Sequence, residues 1–246
     1  MDLVSVIIPY YKKRDFISGT IESVLKQTYK NFEILIIYDD SSDTDYSFIK
    51  EIKKKDSRIA IIRNINKLGA GVSRNLGISK SKGNYIAFLD ADDTWHIDKL
   101  EKQINFMKKH NYSATHTSYS IVNENKDVIG KRIARDFLKI DDLLKSCDIG
   151  TSTVVLQKNL LNKDTEFASL ATKEDFVLWL RLLKKNIKIY ALNENLALWT
   201  KSKYSLSSST PQKLIDGFKV YNKYMKFNFV KSIYYLICLS INFLKK

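Results

Sequence analysis

Within the first ninety residues, four short apolar runs alternate with segments of helical periodicity, and this rhythm restricts the fold more than any other feature of the chain. Val4-Ser5-Val6-Ile7-Ile8 is nearly continuous in apolar character and stops at Pro9, as expected of a strand buried on both faces. Phe16, Ile17, Thr20, Ile21, Val24 and Leu25 then recur at helical spacing. Phe32 to Ile37 is the second run, closing on Asp39-Asp40, and a helix-like stretch from Tyr46 to Lys55 follows. Ile59 to Ile62, a helix over Ala70 to Ser79, and Tyr85 to Leu89 running into Asp90-Ala91-Asp92-Asp93 complete the series. Strands alternating with helices at this period predict right-handed βαβ units and a doubly wound, mainly parallel α/β sheet.

Beyond Asp98 the rhythm changes. Lys99 to Lys109 reads as a helix and Tyr112 to Val122 as a polar strand, with a hairpin turn at Asn123 to Lys126 before Val128 and Ile129. Thr151 to Gln157 and Ile187 to Leu192 are further strand candidates, and Glu174 to Lys185 is a helix. No Pro/Gly/Ser linker intervenes, so 1–210 is expected to be one domain, with 1–98 as a nucleotide-binding half and 99–210 as an acceptor half. Residues 211–246 form a basic, aromatic tail: seven Lys against the single acid Asp216 from Lys213 onward. Its apolar run, Ser232 to Leu244, is too short for a bilayer span of roughly 20 residues. Either the tail packs on the domain with its lysines solvated, or it lies in a membrane interface.

Composition limits the function classes. A net charge of +14 favours anionic partners without choosing among them. Two cysteines, Cys147 and Cys238, make neither a disulfide framework nor a Cys-rich zinc site, which fits a reducing compartment. Met1 leads straight into a strand-like run with no signal-like segment, so a cytoplasmic location is expected. No GxSxG elbow or GxxxxGK[ST] loop occurs, which removes serine hydrolases and P-loop ATPases. The basic residues are scattered through helices without an RNA-recognition or zinc-finger signature, so nucleic acid is not an expected partner.

In open α/β sheets ligands bind beyond the carboxyl ends of the strands, and three of those ends are polar here: Pro9-Tyr10-Tyr11, Asp39-Asp40 and Asp90 to Asp93. If the last segment stays extended, Asp90 and Asp92 point the same way, a placement that suits a hard divalent metal completed by substrate phosphates. Asp92 or Asp93 capping the next helix is the structural alternative. Asp39-Asp40 suits either an Asx turn or a hydrogen-bond acceptor for a base or ribose, and Tyr11 either a stacking platform or a rim residue. Gly69-Ala70-Gly71 does not follow the first strand, as a dinucleotide fingerprint should; Arg74 and Asn75 are stronger candidates for phosphate contact. Thr172 with Asp175 has capping-box spacing, while a carboxylate at a helix start stays ionised and can serve as a general base; on spacing alone the structural role leads.

Taken together, these segments resemble the family 2 glycosyltransferases of the GT-A fold, of the bacterial surface-polysaccharide type. The opening strand through Tyr11, Ile21 to Tyr29, Asn66 to Gly69 with Ser73-Arg74-Asn75-Leu76-Gly77, Asp90-Ala91-Asp92-Asp93 as a DxD element, and Glu174-Asp175 with Leu178 to Arg181 as an ED element carry the resemblance over roughly residues 3–210. It implies a GT-A (Rossmann-like) mixed, mainly parallel sheet flanked by helices. It further implies a divalent metal (Mn²⁺ or Mg²⁺), a nucleotide-sugar donor such as a UDP-sugar, and inversion at the anomeric carbon. Carried over, Pro9, Tyr11 and Asp40 would hold the base and ribose, Asp39 would shape their pocket, and Arg74 would approach the base or diphosphate. Asp90 would contact the ribose or sugar, Asp92 would be the principal metal ligand, Glu174 would help bind substrate, and Asp175 would deprotonate the acceptor hydroxyl. The acceptor would be a glycan, with a prenyl-diphosphate-linked form at the cytoplasmic membrane face accounting for the tail.

Departures from the pattern fall at Lys12, where Asn is common, at Ser41, where the turn often has Gly, and at Thr200 and Ser202, which replace an Arg and a His. Lys201 or Lys203 are the candidates to supply the missing cationic contact, and loss of catalysis with retained donor binding is the alternative function these changes suggest.

Overall fold

The computed structural model describes residues 2–202 and 209–244. Strands β1 (Val4–Tyr10), β2 (Phe32–Tyr38), β3 (Ile59–Arg63) and β4 (Tyr85–Phe88) alternate with helices α1 (Arg14–Leu25), α2 (Asp43–Lys53) and α3 (Ala70–Lys80), as the apolar rhythm predicts. They lie parallel in the order β3-β2-β1-β4. The chain therefore reverses its direction of winding between β1 and β4, which opens a crevice at their carboxyl ends. Side chains alternate across the sheet: Ile7, Leu35 and Phe88 point into one core, Val6, Ile8 and Ile36 into the other. α1, α2 and the later helix α4 (Lys99–His110) cover the second core, with Ile17, Ile49 and Ile104 buried in it.

The rest of the chain extends the same sheet. β5 (Thr94–Trp95), α4 (Lys99–His110), β6 (Ala114–Val122), β7 (Val128–Arg132), α5 (Ile140–Leu144), β8 (Val155–Gln157), α6 (Glu174–Lys184) and β9 (Tyr190–Thr200) follow in sequence. The sheet continues from β4 as β8-β6-β9-β5, with β8 antiparallel to β4, and the expected β6–β7 hairpin lies on the edge of β6. Two expected strands differ. Thr151–Thr153 is a 3₁₀ turn, so the strand begins only at Val155, because Thr153 donates its N–H to Gly150 rather than to a neighbouring strand. The run expected at Ile187 to Leu192 is instead the eleven-residue β9, whose pairing with β6 extends to Thr200.

After the undescribed stretch come α7 (Thr210–Lys219), a π-helical turn at Val220–Tyr224, and α8 (Phe229–Leu244). Val220, Tyr221, Met225 and Leu239 enter the core that holds Phe176 and Trp179. Thr172 donates both its N–H and its hydroxyl to the buried Asp216 carboxylate, at 3.0 and 3.1 Å, tying α7 to the start of α6.

α3 reaches β1 so closely that a Cβ on Gly77 would stand 2.5 Å from Ile7 Cγ2. Gly77→Val is expected to lower unfolding free energy by about 1–3 kcal/mol through overpacking, read from urea melts.

Candidate active site

The crevice between the carboxyl ends of β1 and β4 gathers most of the residues singled out in the sequence, and buried Arg74 is its hub. One guanidinium nitrogen donates to Glu174 Oε1 at 2.7 Å and another to Asp90 Oδ1 at 2.5 Å, while the plane lies 5.2 Å from the Phe167 ring. Burial alone would lower the Arg74 pKa, but the Asp90 and Glu174 carboxylates overcome it and raise it. The same burial pushes Glu174 up to about 7, against the pull of Arg74 and with the push of the Asp175 charge. Arg74 thus braces the strand-end Asp90 against the start of α6; its Nε is buried without a hydrogen-bond partner.

Asp90 to Asp93 is a turn, not an extended segment, since the Asp93 N–H donates to the Asp90 carbonyl at 3.0 Å. Nor does Asp92 or Asp93 cap a helix, because α4 starts only at Lys99. Asp93 is fully buried, accepting from Ser152 Oγ at 2.5 Å and from the Thr200 N–H at 2.8 Å. Burial, then Asp92 and Asp90, raise its pKa well above the usual carboxylate range. Asp92 is ion-paired with Lys13 Nζ at 2.7 Å, and burial outweighs that pair to raise its pKa too. Lys13 also donates to Ser202 Oγ at 3.2 Å. The cation beside Ser202 is therefore Lys13, whose only sequence signal was its place two residues after Tyr11. Lys201 is exposed and gives its N–H to Val122; Lys203 lies outside the described residues.

Beside this turn is a cleft of 240 Å³ lined by Tyr11, Lys12, Asp39, Asp40 and the loop from Arg63 to Lys67. Asp40 accepts from the Ser41 N–H at 2.7 Å and the Lys12 N–H at 3.0 Å, so it forms its turn while facing the cleft. Asp39 turns inward: it accepts from Asn64 Nδ2 and from the N–H groups of Leu68 and Gly69, all within 2.8 Å, and so fixes the loop that opens α3. Lys67 Nζ stands 3.8 Å over the Tyr11 ring. Pro9 is paired with Ile37 in the sheet and does not line the cleft. Asn75 clamps the backbone of Phe167 through both of its amide atoms.

Asp175 sits in the first turn of α6 and accepts from Thr151 Oγ1 at 2.8 Å and from the Phe176 N–H at 2.7 Å. The capping box is absent, because the Thr172 hydroxyl is bound to Asp216 and Lys173 at the N-cap has φ 61° with no side-chain bond. Among the described residues no three His, Cys, Asp or Glu side chains gather as a protein-only metal cage. Asp92, with Asp90 near enough to raise its pKa, matches the other kind of site, in which one or two carboxylates share a hard cation with substrate phosphates.

The chain is 43% identical over 208 residues to the Escherichia coli UDP-Glc:alpha-D-GlcNAc-diphosphoundecaprenol beta-1,3-glucosyltransferase WfgD, covering 85% of this chain and 79% of that protein. It is 34% identical over 245 residues to the putative teichuronic acid biosynthesis glycosyltransferase TuaG of Bacillus subtilis, covering 99% and 97%. Among solved structures it superposes on S. aureus TarS 1-349 in complex with UDP-GlcNAc with a TM-score of 0.76 at 18% identity, over 95% of this chain and 70% of that one. A mannosyltransferase from Pyrobaculum calidifontis in complex with GDP-Man and Mn²⁺ gives a TM-score of 0.69 at 13% identity, over 92% and 64%. These likenesses establish the GT-A fold. The model of "Glycosyl transferase family 2" matches residues 5–164, and with relatives of this identity and coverage the chain belongs to that family of glycosyltransferases.

Proposed function

We propose that this glycosyltransferase inverts the anomeric centre of a UDP-sugar, uses a divalent metal, and transfers the sugar to a hydroxyl of a prenyl-diphosphate-linked saccharide at the cytoplasmic membrane face. The observation that carries the reading is the Arg74 bridge, which holds the strand-end acid Asp90 and the Glu174-Asp175 pair on one crevice although they are far apart in sequence.

The uridine and ribose occupy the cleft beside Tyr11 and Asp40, with Asp39 holding the far wall in place. Asp92, helped by Asp90, would hold the metal, which when bound supplies positive charge to the departing diphosphate. Lys13 lies at the same position from the protein side and offers an ammonium to the phosphates. Asp175 takes the proton of the acceptor hydroxyl as its oxygen bonds to the anomeric carbon. The carbon–oxygen bond to the β-phosphate breaks on the opposite face, and the electron pair leaves with UDP. Thr151 steers Asp175, and Glu174, pinned by Arg74, keeps the start of α6 against the crevice. WfgD, named for a UDP-Glc donor and a diphosphoundecaprenol-linked acceptor, supports the choice of UDP and of a lipid-linked acceptor.

Three outcomes are expected. Asp175→Asn keeps UDP affinity in calorimetric titration but lowers turnover by roughly 10²–10⁴-fold; unchanged turnover removes Asp175 as the base, and no turnover in the native protein with UDP still bound leaves the donor-binding, non-catalytic alternative. Asp92→Ala abolishes the part of UDP binding that depends on Mn²⁺. Finally, because the native Glu174 pKa is raised from 4.5 to about 7, the folded state holds more protons than the unfolded one in that window. Its contribution to stability therefore falls as pH rises from 4.5 to about 7 and then levels off. Urea melts in metal-free buffer across that range will show this slope in the native protein and its reduction in Glu174→Gln.

A further inference from the structure

α8 is apolar on both sides. Leu239 and Ser232 face the core, while Val230, Tyr234, Ile237, Ile241 and Leu244, spaced four and three residues apart, make one continuous exposed stripe. Val230 is 76% and Leu244 83% exposed, and Phe229 and Phe243 flank the stripe. Leu214 and Ile215 of the adjoining α7 are exposed as well. Within residues 209–244 the solvent-accessible charges have one sign: Lys213, Lys219, Lys223, Lys226 and Lys231, while the acid among them, Asp216, is buried against Thr172 and Gln212; from α5, Asp141 acts on Tyr235 together with an opposing Lys145. Several lysine ammonium groups lie over aromatic rings, Lys213 over Phe243 at 5.3 Å and Lys231 over Phe227 at 4.2 Å, so that apolar and cationic surface are interleaved.

We propose that this face is a docking surface for an anionic phospholipid bilayer, with α8 lying in the plane of the interface. Charge complementarity selects this occupant. A second copy of the chain would bring the same lysines against one another, whereas anionic headgroups pair with them while the acyl boundary takes the stripe. Among the described residues no helix is long and apolar enough to cross a membrane, so α8 lies on the bilayer rather than through it. The surface is also wired to the crevice. Asp216 of α7 holds Thr172, and Gly217 of α7 lies against Lys173, the residue preceding Glu174-Asp175. Docking thus sets the start of α6 at a fixed position over the membrane; that consequence rests on the proposed reaction, whereas the docking itself does not.

The test is co-sedimentation of the full chain, without donor, with vesicles of equal parts phosphatidylglycerol and phosphatidylcholine, and with vesicles of phosphatidylcholine alone. Binding to the mixed vesicles is expected to exceed binding to the neutral ones by roughly tenfold or more and to weaken in high salt. The double variant Ile237→Glu/Ile241→Glu is expected to lose it while UDP titration stays unchanged, which certifies its fold. Replacing Lys223, Lys226 and Lys231 by Glu is expected to erase the preference for anionic vesicles. Failure of the native protein to bind either vesicle, equal binding to both, or no effect of the double variant overturns the proposal. So does a dimer in light scattering that the double variant abolishes, since a second copy then covers the face. Loss of UDP binding in the native protein would instead sink the reaction and leave the vesicle result standing.

Discussion

A single buried guanidinium organises this molecule's functional end. Arg74 comes from α3, Asp90 from the turn after β4, and Glu174 from the start of α6, and nothing local in sequence joins them. Removing one partner of a buried ionic cluster typically costs about 3–5 kcal/mol, because the remaining charge has no water to turn to. A well-packed apolar trio would be about as stable, so the cluster's value is positional: a fork of fixed geometry sets where two carboxylates sit. Gly71 shows how tightly that position is held. A Cβ there would stand 2.5 Å from the Ala168 carbonyl oxygen and 3.0 Å from Glu174 Cβ, so the first turn of α3 meets the start of α6 only through a glycine.

The adjacent acids Asp39 and Asp40 divide the remaining work. Lying just past the end of β2, they take different partners: Asp39 holds the loop from Asn64 to Gly69, Asp40 the backbone of Lys12 and Ser41. Lys12 takes φ 50°, a left-handed conformation that Asn or Gly adopts more readily. The bend it makes carries the next residue, Lys13, across the crevice to Asp92. One strained residue thus links the Tyr11–Asp40 cleft to the acid turn.

Much of this was legible before any coordinates. Apolar runs with helical intervals have few topologies open to them, so β1 to β4 and their helices emerge with boundaries displaced by only a few residues. The shortfalls have physical causes. β5 is two residues long, too short for any period to register, and the 3₁₀ turn at Thr151 has the β-prone composition of a strand. The capping-box pattern at Thr172 is a local rule defeated by a distant partner, Asp216, forty-four residues away. Lys13 carried no pattern at all: a lone lysine is ordinarily solvated, and only the fold reveals the carboxylate opposite it. Four of the acids stand out in the sequence because they follow strands, yet what distinguishes Asp92 from Asp93 is burial and partners, which no spacing encodes.

That distinction bears on the electrostatics of the crevice. A chain of net charge +14 has placed Asp39, Asp40, Asp90, Asp92, Asp93, Glu174 and Asp175 around one opening, an unfavourable greeting for a diphosphate. Part of that negative charge is spent inside the protein. Asp39 is saturated by three donors, Arg74 answers Asp90 and Glu174, and the raised pKa of buried Asp93 favours its neutral form. What remains open toward the crevice includes Asp92, with Lys13 beside it, and Lys12, Arg63 and Lys67 on the rim of the cleft. Lys13 alone neutralises Asp92 and leaves little positive charge for two phosphates, whereas a divalent cation on the same carboxylate leaves an excess. A divalent metal, as proposed, would suit the charge balance of this crevice, and Thr200 and Ser202, which stand where the resemblance implies an Arg and a His, add no cation of their own to it.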